Sequence, residues 1–222
     1  MKKLLIPFIV FLFITIVLYS SQHGQKSVTG KVAEGTSSVS FRILGACSNI
    51  LLVEGWNFVS ICSNMTNKTI EAALSEINGE YRYVMEWDEN SQRFLIYSPL
   101  AVENPFTYFK ENKSYFIYLL PSTAEINPSG YPFGELSISL LYGWNTPVYP
   151  YEESVNISKY VSQIEGQYRY VMKWDPYFQR FLIYSPLAAN PEFTNISKGE
   201  GQFIYIDNTS GAILKYNRTI LN

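Results

Sequence analysis

The sequence predicts an α+β fold, predominantly β, built of two tandem small modules that each contain a mostly antiparallel sheet and one short helix. The first observation behind this prediction is a repeat: residues 79–101 (GEYRYVMEWDENSQRFLIYSPLA) recur as residues 166–188 (GQYRYVMKWDPYFQRFLIYSPLA) with five differences. Self-similarity of this kind is typical of tandem arrays. The second is period-two alternation of aromatic and polar residues, which is typical of strands. The third is that no helical pattern is long enough to connect parallel strands, which favours antiparallel pairing.

Within each module the order of elements can be followed along the chain. In module 1, strand-like runs at 50–53 and 56–62 precede a short amphipathic helix. Its apolar positions are Ile70, Ala73, Leu74 and Ile77. Thr69 is the predicted N-cap of this helix and Gly79 the predicted stop. A hairpin at 81–98 and a strand at 115–120 follow, and module 2 repeats this order with Asn156 as the helix cap.

The first arm of the hairpin shows the alternation clearly. Strict alternation places one set of side chains on one face of the strand: Tyr81, Tyr83, Met85 and Trp87. The other face then carries Arg82, Val84 and Glu86. Arg82 and Arg93 could pair with Glu86 across this hairpin, but Lys173 replaces that glutamate in module 2, so the sequence fixes no ion pair common to both modules.

The predicted organisation of the whole chain has six segments. They are a signal peptide or membrane anchor at 1–21, a polar stem at 22–44, module 1 at 45–120, a linker at 121–134, module 2 at 135–207 and a C-terminal strand at 208–222. The linker is predicted from its proline and glycine content. The C-terminal strand either packs on module 2 or forms an unpaired edge available to another chain.

The N-terminus and the bulk composition predict the compartment. Lys2 and Lys3 precede an apolar run from Leu4 to Tyr19, which is the layout of a secretory signal. Because the run is slightly short for a spanning helix and Tyr19 stands where a small residue is expected before cleavage, a cleaved signal and a retained anchor both stay open. Either way, the rest of the chain is expected to be extracellular, at the cell surface. The net charge of −2 and the lack of a basic patch disfavour nucleic acid as a partner.

Two further features fit an exported chain. The only cysteines, Cys47 and Cys62, predict one disulfide, with two buried free thiols as the alternative. Seven asparagines begin N-x-[ST] sequons and are candidate glycosylation sites, the alternative being that Asn, Ser and Thr simply cluster in turns. They are Asn64, Asn67, Asn112, Asn156, Asn195, Asn208 and Asn217.

The inventory of chemistry-bearing residues does not predict an enzyme. The single histidine, His23, lies in the polar segment beside the signal, and no metal-ligand or phosphate-loop motif occurs, so neither a cofactor nor a metal is expected. Asp88 and Asp175 each follow the repeated tryptophan. A pair of carboxylates that flank one substrate is one interpretation, and the first position of a hairpin turn is the favoured one.

The most informative constellation is aromatic. It comprises Tyr83, Trp87 and Tyr97, with their counterparts Tyr170, Trp174 and Tyr184. Aromatic rings on a sheet face either form core or make a binding face for sugars or for a protein partner, and two copies would add avidity.

Each module also resembles a repeat of archaeal exported and cell-surface proteins associated with surface layers. The resemblance is carried by the G-W-N-x-x-S opening (Gly55, Trp56, Asn57 and Ser60), the short helix, the aromatic hairpin and the closing F-I-Y strand. It covers about 145 of the 222 residues, and the segments 112–115 and 199–202 depart from the family's G-x-G-Y-W-I ending. The resemblance implies an exposed location and a scaffold or adhesion role, with no catalytic residues.

The sequence therefore predicts an exported, glycosylated structural or adhesive protein that assembles into filaments or a surface layer. The expected partners are copies of the same chain, other cell-surface proteins and glycans, and the C-terminal strand is the element expected to pair with another copy. A membrane contact is expected only through the N-terminal helix, if it is retained. The alternative is a tandem carbohydrate-binding protein that uses Trp87 and Trp174 as platforms.

Overall fold

The computed structural model of the chain describes residues 28–31, 38–41, 47 and 49–217. Residues 1–45 and 46–222 form two compact units. In the first unit, within the predicted polar stem, strand β1 (Val28–Lys31) pairs with β2 (Ser38–Phe41) as an antiparallel hairpin. The predicted signal or anchor at 1–21 lies outside the described residues. Among the residues that are described, no helix is long and apolar enough to cross a membrane.

The second unit confirms the predicted fold class, because it consists of antiparallel strands with two short helices. The elements of its first half are β3 (Ile50–Leu52), β4 (Gly55–Ser60), β5 (Ser63–Met65), α1 (Ile70–Ala73), a 3₁₀ turn (Ser75–Ile77), β6 (Tyr81–Asp88), β7 (Arg93–Tyr97), β8 (Ser114–Leu119), β9 (Ala124–Ile126) and β10 (Gly130–Pro132). The elements of its second half are β11 (Glu135–Leu140), β12 (Gly143–Asn145), β13 (Val155–Asn156), α2 (Ile157–Tyr160), a 3₁₀ turn (Ser162–Ile164), β14 (Tyr168–Asp175), β15 (Arg180–Tyr184), β16 (Asn195–Ile196), β17 (Gln202–Ile206) and β18 (Ala212–Asn217).

Each half is built around one four-stranded antiparallel sheet. The strand order is β4-β8-β6-β7 in module 1 and β12-β17-β14-β15 in module 2, so the repeated hairpin forms the outer half of both sheets. Both helices begin as the sequence predicts. The hydroxyl of Thr69 accepts a hydrogen bond from the Ala72 N–H at 3.3 Å, and the Asn156 side chain accepts one from the Ser158 N–H at 3.0 Å.

The predicted linker and the C-terminal strand occupy equivalent places in the two modules. Within residues 121–134, β9 pairs with β3, and β10 pairs with β5. This segment therefore adds two strands to module 1 as well as connecting the modules. Although the segment is rich in proline and glycine, Ile126 is buried beside Ile50. In module 2 the same closing position is taken by β18, which pairs along its length with β11. Of the two alternatives for the C-terminal strand, it packs on module 2.

A β-bulge corrects the predicted alternation of the hairpin arm. The register of β6 against β8 shifts between Tyr81 and Tyr83, and the register of β14 against β17 shifts between Tyr168 and Tyr170. Tyr81 therefore lies in the module core with Val84, while Tyr83 lies on the opposite face. The period-two pattern could not reveal this, because an inserted residue reverses the facing of everything that follows it.

Each module has its own hydrophobic core, and a third hydrophobic cluster is shared by the two modules. Module 1 buries Leu74, Ile117 and their neighbours between its sheet and α1, and module 2 does the same with Val161 and Ile204. The third cluster, here called the shared aromatic cluster, contains residues of both modules. Its buried members are Phe58, Phe116 and Phe203, and its partly buried members are Trp56, Met85, Trp87, Trp144, Met172, Trp174 and Phe181.

Candidate functional site: the paired aromatic faces

The repeated hairpins place their aromatic side chains against the other module. The Phe58 ring of module 1 stacks on Phe203 of module 2 with centroids 5.0 Å apart. Trp87 meets the same Phe203 edge-on at 5.6 Å, and Trp174 of module 2 meets Phe116 of module 1 edge-on at 5.4 Å. Offset and edge-to-face arrangements at such distances are favourable beyond the apolar area they bury. The face that the sequence marks as a possible binding surface is thus occupied in part by the chain itself.

Hydrogen bonds across this contact come in reciprocal pairs. The Trp87 indole N–H donates to the Trp144 carbonyl at 2.9 Å, and the Trp174 indole N–H donates to the Trp56 carbonyl at 2.7 Å. Because each tryptophan of a hairpin bonds the tryptophan that opens the facing module, the two modules are related by an approximate twofold arrangement. The same residue types make the same bonds in both directions.

A glutamine in each hairpin turn completes the reciprocal contact, and sequence reasoning missed it. The amide oxygen of Gln179 accepts the Trp56 N–H at 2.9 Å, and its NH₂ group donates to the Trp56 carbonyl at 3.0 Å. Gln92 makes the matching bonds to Trp144 at 2.9 and 3.1 Å. The signal was available, because this glutamine is the one turn residue between the aspartate and the arginine that both repeats keep.

The G-W-N opening of each module is explained by this glutamine contact. Gly55 has a φ of +90°, and a Cβ there would lie 2.9 Å from the Gln179 amide oxygen. Gly143 is in the same situation, with a φ of +95° and the Gln92 amide oxygen 2.8 Å away. Both positions therefore favour glycine because of their positive φ, and a side chain there would also displace the glutamine amide from its bonds to the tryptophan. Asn57 closes the preceding turn, since its side chain accepts the Val53 N–H and donates to the Val53 carbonyl.

Main-chain bonds add to the contact on both sides. The Ser60 N–H donates to the Gly199 carbonyl at 2.9 Å, and the Gly201 N–H donates to the Phe58 carbonyl at 2.8 Å. On the other side, Ser114 N–H donates to the Thr146 carbonyl at 2.7 Å. Gly201 permits this approach, because a Cβ on it would lie 2.7 Å from the Phe58 ring. The segment 199–202 thus contributes Gly199 and Gly201 to a contact between the modules.

The six predicted binding-face residues divide into two groups. Tyr83, Trp87, Tyr170 and Trp174 lie half-buried on the aromatic face, where both indole N–H groups are already bonded. Tyr97 is buried in the core of module 1, on the opposite side of the sheet, and Tyr184 packs against the module 2 core beside Phe193. The structure therefore does not bring all six onto one surface.

An ion pair occupies the same place in both modules with its charges exchanged, and it is buried in module 1 and partly buried in module 2. In module 1, Glu86 is 1% exposed and lies 3.4 Å from the Lys113 ammonium, with Lys110 also bonded to it. In module 2 the counterpart of Glu86 is Lys173, whose ammonium bonds Glu200 at 2.9 Å. Arg82 and Arg93 are exposed and take no part in these pairs. The exchange of charges is seen only when both positions of the pair are compared between the two repeats. The change from Glu86 to Lys173, taken alone, suggests that the ion pair is lost.

Tyrosines line the cores behind these pairs. Burial is the main cause that raises the pKa of Tyr115, and the negative charge of Glu86 is the second. The Tyr115 hydroxyl donates a hydrogen bond to the Glu86 carboxylate at 3.3 Å. In module 2, Gln202 replaces Tyr115 in the repeat and donates to the hydroxyl of Tyr160, which also bonds Tyr216. Burial raises the pKa of Tyr160 and Tyr216 as well. These hydroxyls stay protonated and structural at neutral pH.

The remaining predicted residues take ordinary structural places. Cys47 and Cys62 form the predicted disulfide. Asp88 accepts the Asn90 N–H and the Ser91 hydroxyl, and the hydrogen bond from Ser91 is the main cause of its lowered pKa. Asp175 accepts the Tyr177 N–H at 3.0 Å, so both aspartates start hairpin turns as predicted.

The sequons lie mostly on the surface. The exposed asparagines are Asn64, Asn67, Asn112, Asn156 and Asn195. Asn208 is half-buried, and the side chain of Asn217 lies outside the described part of the chain. Two of the exposed asparagines also have local structural roles, because Asn67 and Asn156 accept hydrogen bonds from the Thr69 and Ser158 residues of their own sequons.

Among the described residues, two equivalent clefts flank the contact between modules, one on each side of the approximate twofold, besides an open cleft of about 850 Å³ lined by Gly55, Tyr118 and Gln179. The larger of the equivalent pair, about 420 Å³, is bordered by Trp174, Tyr177, Lys198 and the start of β3. Its counterpart beside Asn112 is about 200 Å³, and there Glu89 stands in place of Pro176 and bonds Lys113. Among the described residues, no group of three or more His, Cys, Asp or Glu side chains could hold a metal ion.

Comparison with known proteins returned no family model, no curated protein and no solved structure that matches the chain.

Proposed function

We propose that this chain is an exported structural or adhesive protein of a cell surface, without enzymatic activity, whose two modules act as one rigid unit. The observation that carries the proposal is the reciprocal use of the repeated segment. Its tryptophans and glutamines, which are the residues most suggestive of a ligand site, bond the opening strand of the facing module. A segment kept in two copies to join two modules has a scaffold role.

Three further features support export. The cysteines form a disulfide, which is typical of oxidising compartments. Five sequon asparagines lie on the surface, where a glycan can be attached. The two lysines and the apolar run at the N-terminus fit a signal or an anchor. Under this proposal the natural setting is the outer face of the envelope, where the chain associates with copies of itself or with other surface proteins.

The proposal is tested on the source cells. Immunogold labelling of intact cells is expected to decorate the envelope, and electron microscopy of sheared material is expected to show ordered filaments or lattices. Intact mass of the native protein is expected to exceed that of the unglycosylated chain, and Asn112→Gln is expected to remove one glycan mass. Label confined to the cytoplasm, together with an unmodified mass, would contradict the proposal.

A second candidate, carbohydrate binding, is favoured by the 420 Å³ cleft beside Trp174 rather than by the repeated faces. The cleft places a half-buried Trp174 beside Tyr177, whose ring is exposed, with Lys198 at its border. Aromatic rings next to polar groups suit sugar rings. Titration of oligosaccharides by NMR should then shift resonances of this cleft, and Tyr177→Ala should weaken binding. The Tyr131→Ala variant, in which an exposed tyrosine outside the cleft is removed, should bind unchanged.

A further inference from the structure

The outer strands of the two four-stranded sheets carry the same sequence, RFLIY, but their free edges differ. Among the strands that the structure describes, β7 and β15 each pair on one side only, with β6 and β14 respectively. In β15 the main-chain groups of Ile183 point away from the sheet, because they bond a residue outside it. By the alternation of antiparallel pairing, Phe94 and Ile96 of β7 likewise direct their N–H and C=O groups outward.

In module 2 this edge is closed by Glu192. Its carboxylate accepts the Ile183 N–H at 2.7 Å, and its own N–H donates to the Ile183 carbonyl at 3.2 Å. The other carboxylate oxygen accepts from the Arg180 guanidinium at 3.2 Å. A charged residue that satisfies the outward groups of an edge strand prevents another strand from pairing there.

In module 1 no residue corresponds to Glu192. Pro191 is followed by Glu192 and then Phe193, whereas Pro105 is followed directly by Phe106. Asn104 closes only the end of the edge, since its side chain bonds the N–H and the carbonyl of Ser98 at 2.8 and 3.1 Å. Across residues 49–217, the outward N–H and C=O groups of Phe94 and Ile96 meet no hydrogen-bonding partner.

We propose that the open edge of β7 pairs antiparallel with β7 of a second copy of this chain, about a twofold axis at Leu95. In that register Phe94 of one copy lies opposite Ile96 of the other, and each pair exchanges hydrogen bonds in both directions. Phe94 is 36% exposed and Ile96 is 51% exposed in the single chain, so both gain burial. An aromatic residue opposite a β-branched one is a favourable cross-strand pair.

The charge of β7 and the length of its open edge indicate that the strand pairing with it belongs to a second copy of this chain. The only charged residue of β7 is Arg93, which falls opposite Tyr97 of the other copy, so like charges do not meet. Because Asn104 ends the open edge at Ser98, the free stretch is short and centred on Leu95, which fits an identical strand related by twofold symmetry. The inference goes beyond the proposed function and does not depend on where the protein is located.

Cysteine cross-linking tests the register directly. Leu95 would face its own copy as a non-hydrogen-bonded pair with Cα atoms about 4.5 Å apart, which a disulfide can span. The full chain carrying Leu95→Cys, purified in mild detergent and oxidised, is expected to become mostly covalent dimer. The matched variant Leu182→Cys is expected to stay monomeric on the same gel, and Leu182→Cys with Glu192→Ala is expected to gain the cross-link.

Sedimentation provides a second readout without engineered cysteines. The full chain is expected to double in protein mass as its concentration rises, and Ile96→Lys is expected to weaken this association at least tenfold, whereas Ile183→Lys should leave it unchanged. Equal cross-linking of the Leu95→Cys and Leu182→Cys variants, or a wild-type chain that stays monomeric at high concentration, would overturn the proposal. Because these assays use purified protein, a failure here is distinct from a failure to find the protein at a cell surface.

Discussion

Replacing Phe203 with alanine removes the central ring of the shared aromatic cluster. Phe203 is 4% exposed and contacts rings of both modules. These are Phe58 at 5.0 Å, Trp87 at 5.6 Å, Phe181 at 5.8 Å, Trp144 at 6.0 Å and Phe94 at 6.2 Å. The rings sit on two separate sheets, so the cavity cannot close unless the modules shift, and we expect a loss of about 4 kcal/mol, within the range for buried Phe→Ala changes.

The assay is urea unfolding at 25 °C, followed by tryptophan fluorescence and by far-UV circular dichroism. All four tryptophans lie in the shared aromatic cluster, so fluorescence reports on the contact between modules while dichroism reports on the sheets. With a urea dependence of about 2 kcal/mol per M, the expected loss lowers the midpoint by about 2 M. The Phe178→Ala variant, in which an exposed ring is removed, should stay within about 0.5 kcal/mol of wild type.

Two results would refute this reasoning. A loss below about 1 kcal/mol would mean that Phe203 does not fill a rigid site. A fluorescence transition that precedes the dichroism transition in the wild-type chain would mean that the modules separate before they unfold. Coincident transitions are expected instead, because the shared aromatic cluster buries Phe58, Phe116 and Phe203 where the two modules meet.

Three other predictions concern the ion pairs, the disulfide and the tyrosines. Lys173→Glu places a second carboxylate beside Glu200 and should lower the free energy of unfolding, measured by thermal unfolding, by about 1–3 kcal/mol. Adding Glu200→Lys should recover most of that stability, whereas additive losses in the double variant would show that the two side chains are not coupled. Cys47→Ala with Cys62→Ala opens a loop whose ends are 15 residues apart and should lower the free energy of unfolding by about 3 kcal/mol, whereas an unchanged value would show that the bridge adds nothing. Burial raises the pKa of Tyr115, Tyr149 and Tyr160 above the ordinary 10.0, so the unfolded chain releases protons that the folded chain retains. Stability should therefore be full below pH 10 and fall as the pH rises beyond it, with a step in tyrosinate absorbance that coincides with loss of dichroism; smooth titration of all 18 tyrosines in a folded chain would contradict this.

Local chemistry made much of the fold predictable. The helix caps at Thr69 and Asn156 and the turn aspartates Asp88 and Asp175 act on their own neighbours, so their roles can be inferred from a few adjacent residues. The order of elements along module 2 followed from that of module 1, because the repeated segment marks the equivalent positions. The caps and turns, by contrast, depend on contacts within a handful of positions.

The features that escaped prediction depend on distant partners. The bulge after Tyr81 is set by pairing with β8, and the role of Gln179 is set by Trp56, which lies 123 residues away in the chain. The exchanged ion pairs needed two substitutions to be considered together, since Lys173 alone suggests that a pair is lost. The aromatic face was recognised, but periodicity cannot tell whether a face meets solvent, a ligand or the rest of the chain.

The reciprocal contact also carries information about how such a chain could arise. A lone module with this face would find its complement on an identical module, because the tryptophan and glutamine bonds run equally in both directions. Fusing two such modules into one polypeptide makes their association intramolecular, at an effective concentration on the order of millimolar. Once the pairing no longer depends on the concentration of separate modules, the sequences of the two modules can diverge. Glu192 on one side and the bare edge at Ile96 on the other are differences of that kind, and a symmetric dimer of single modules could not carry them.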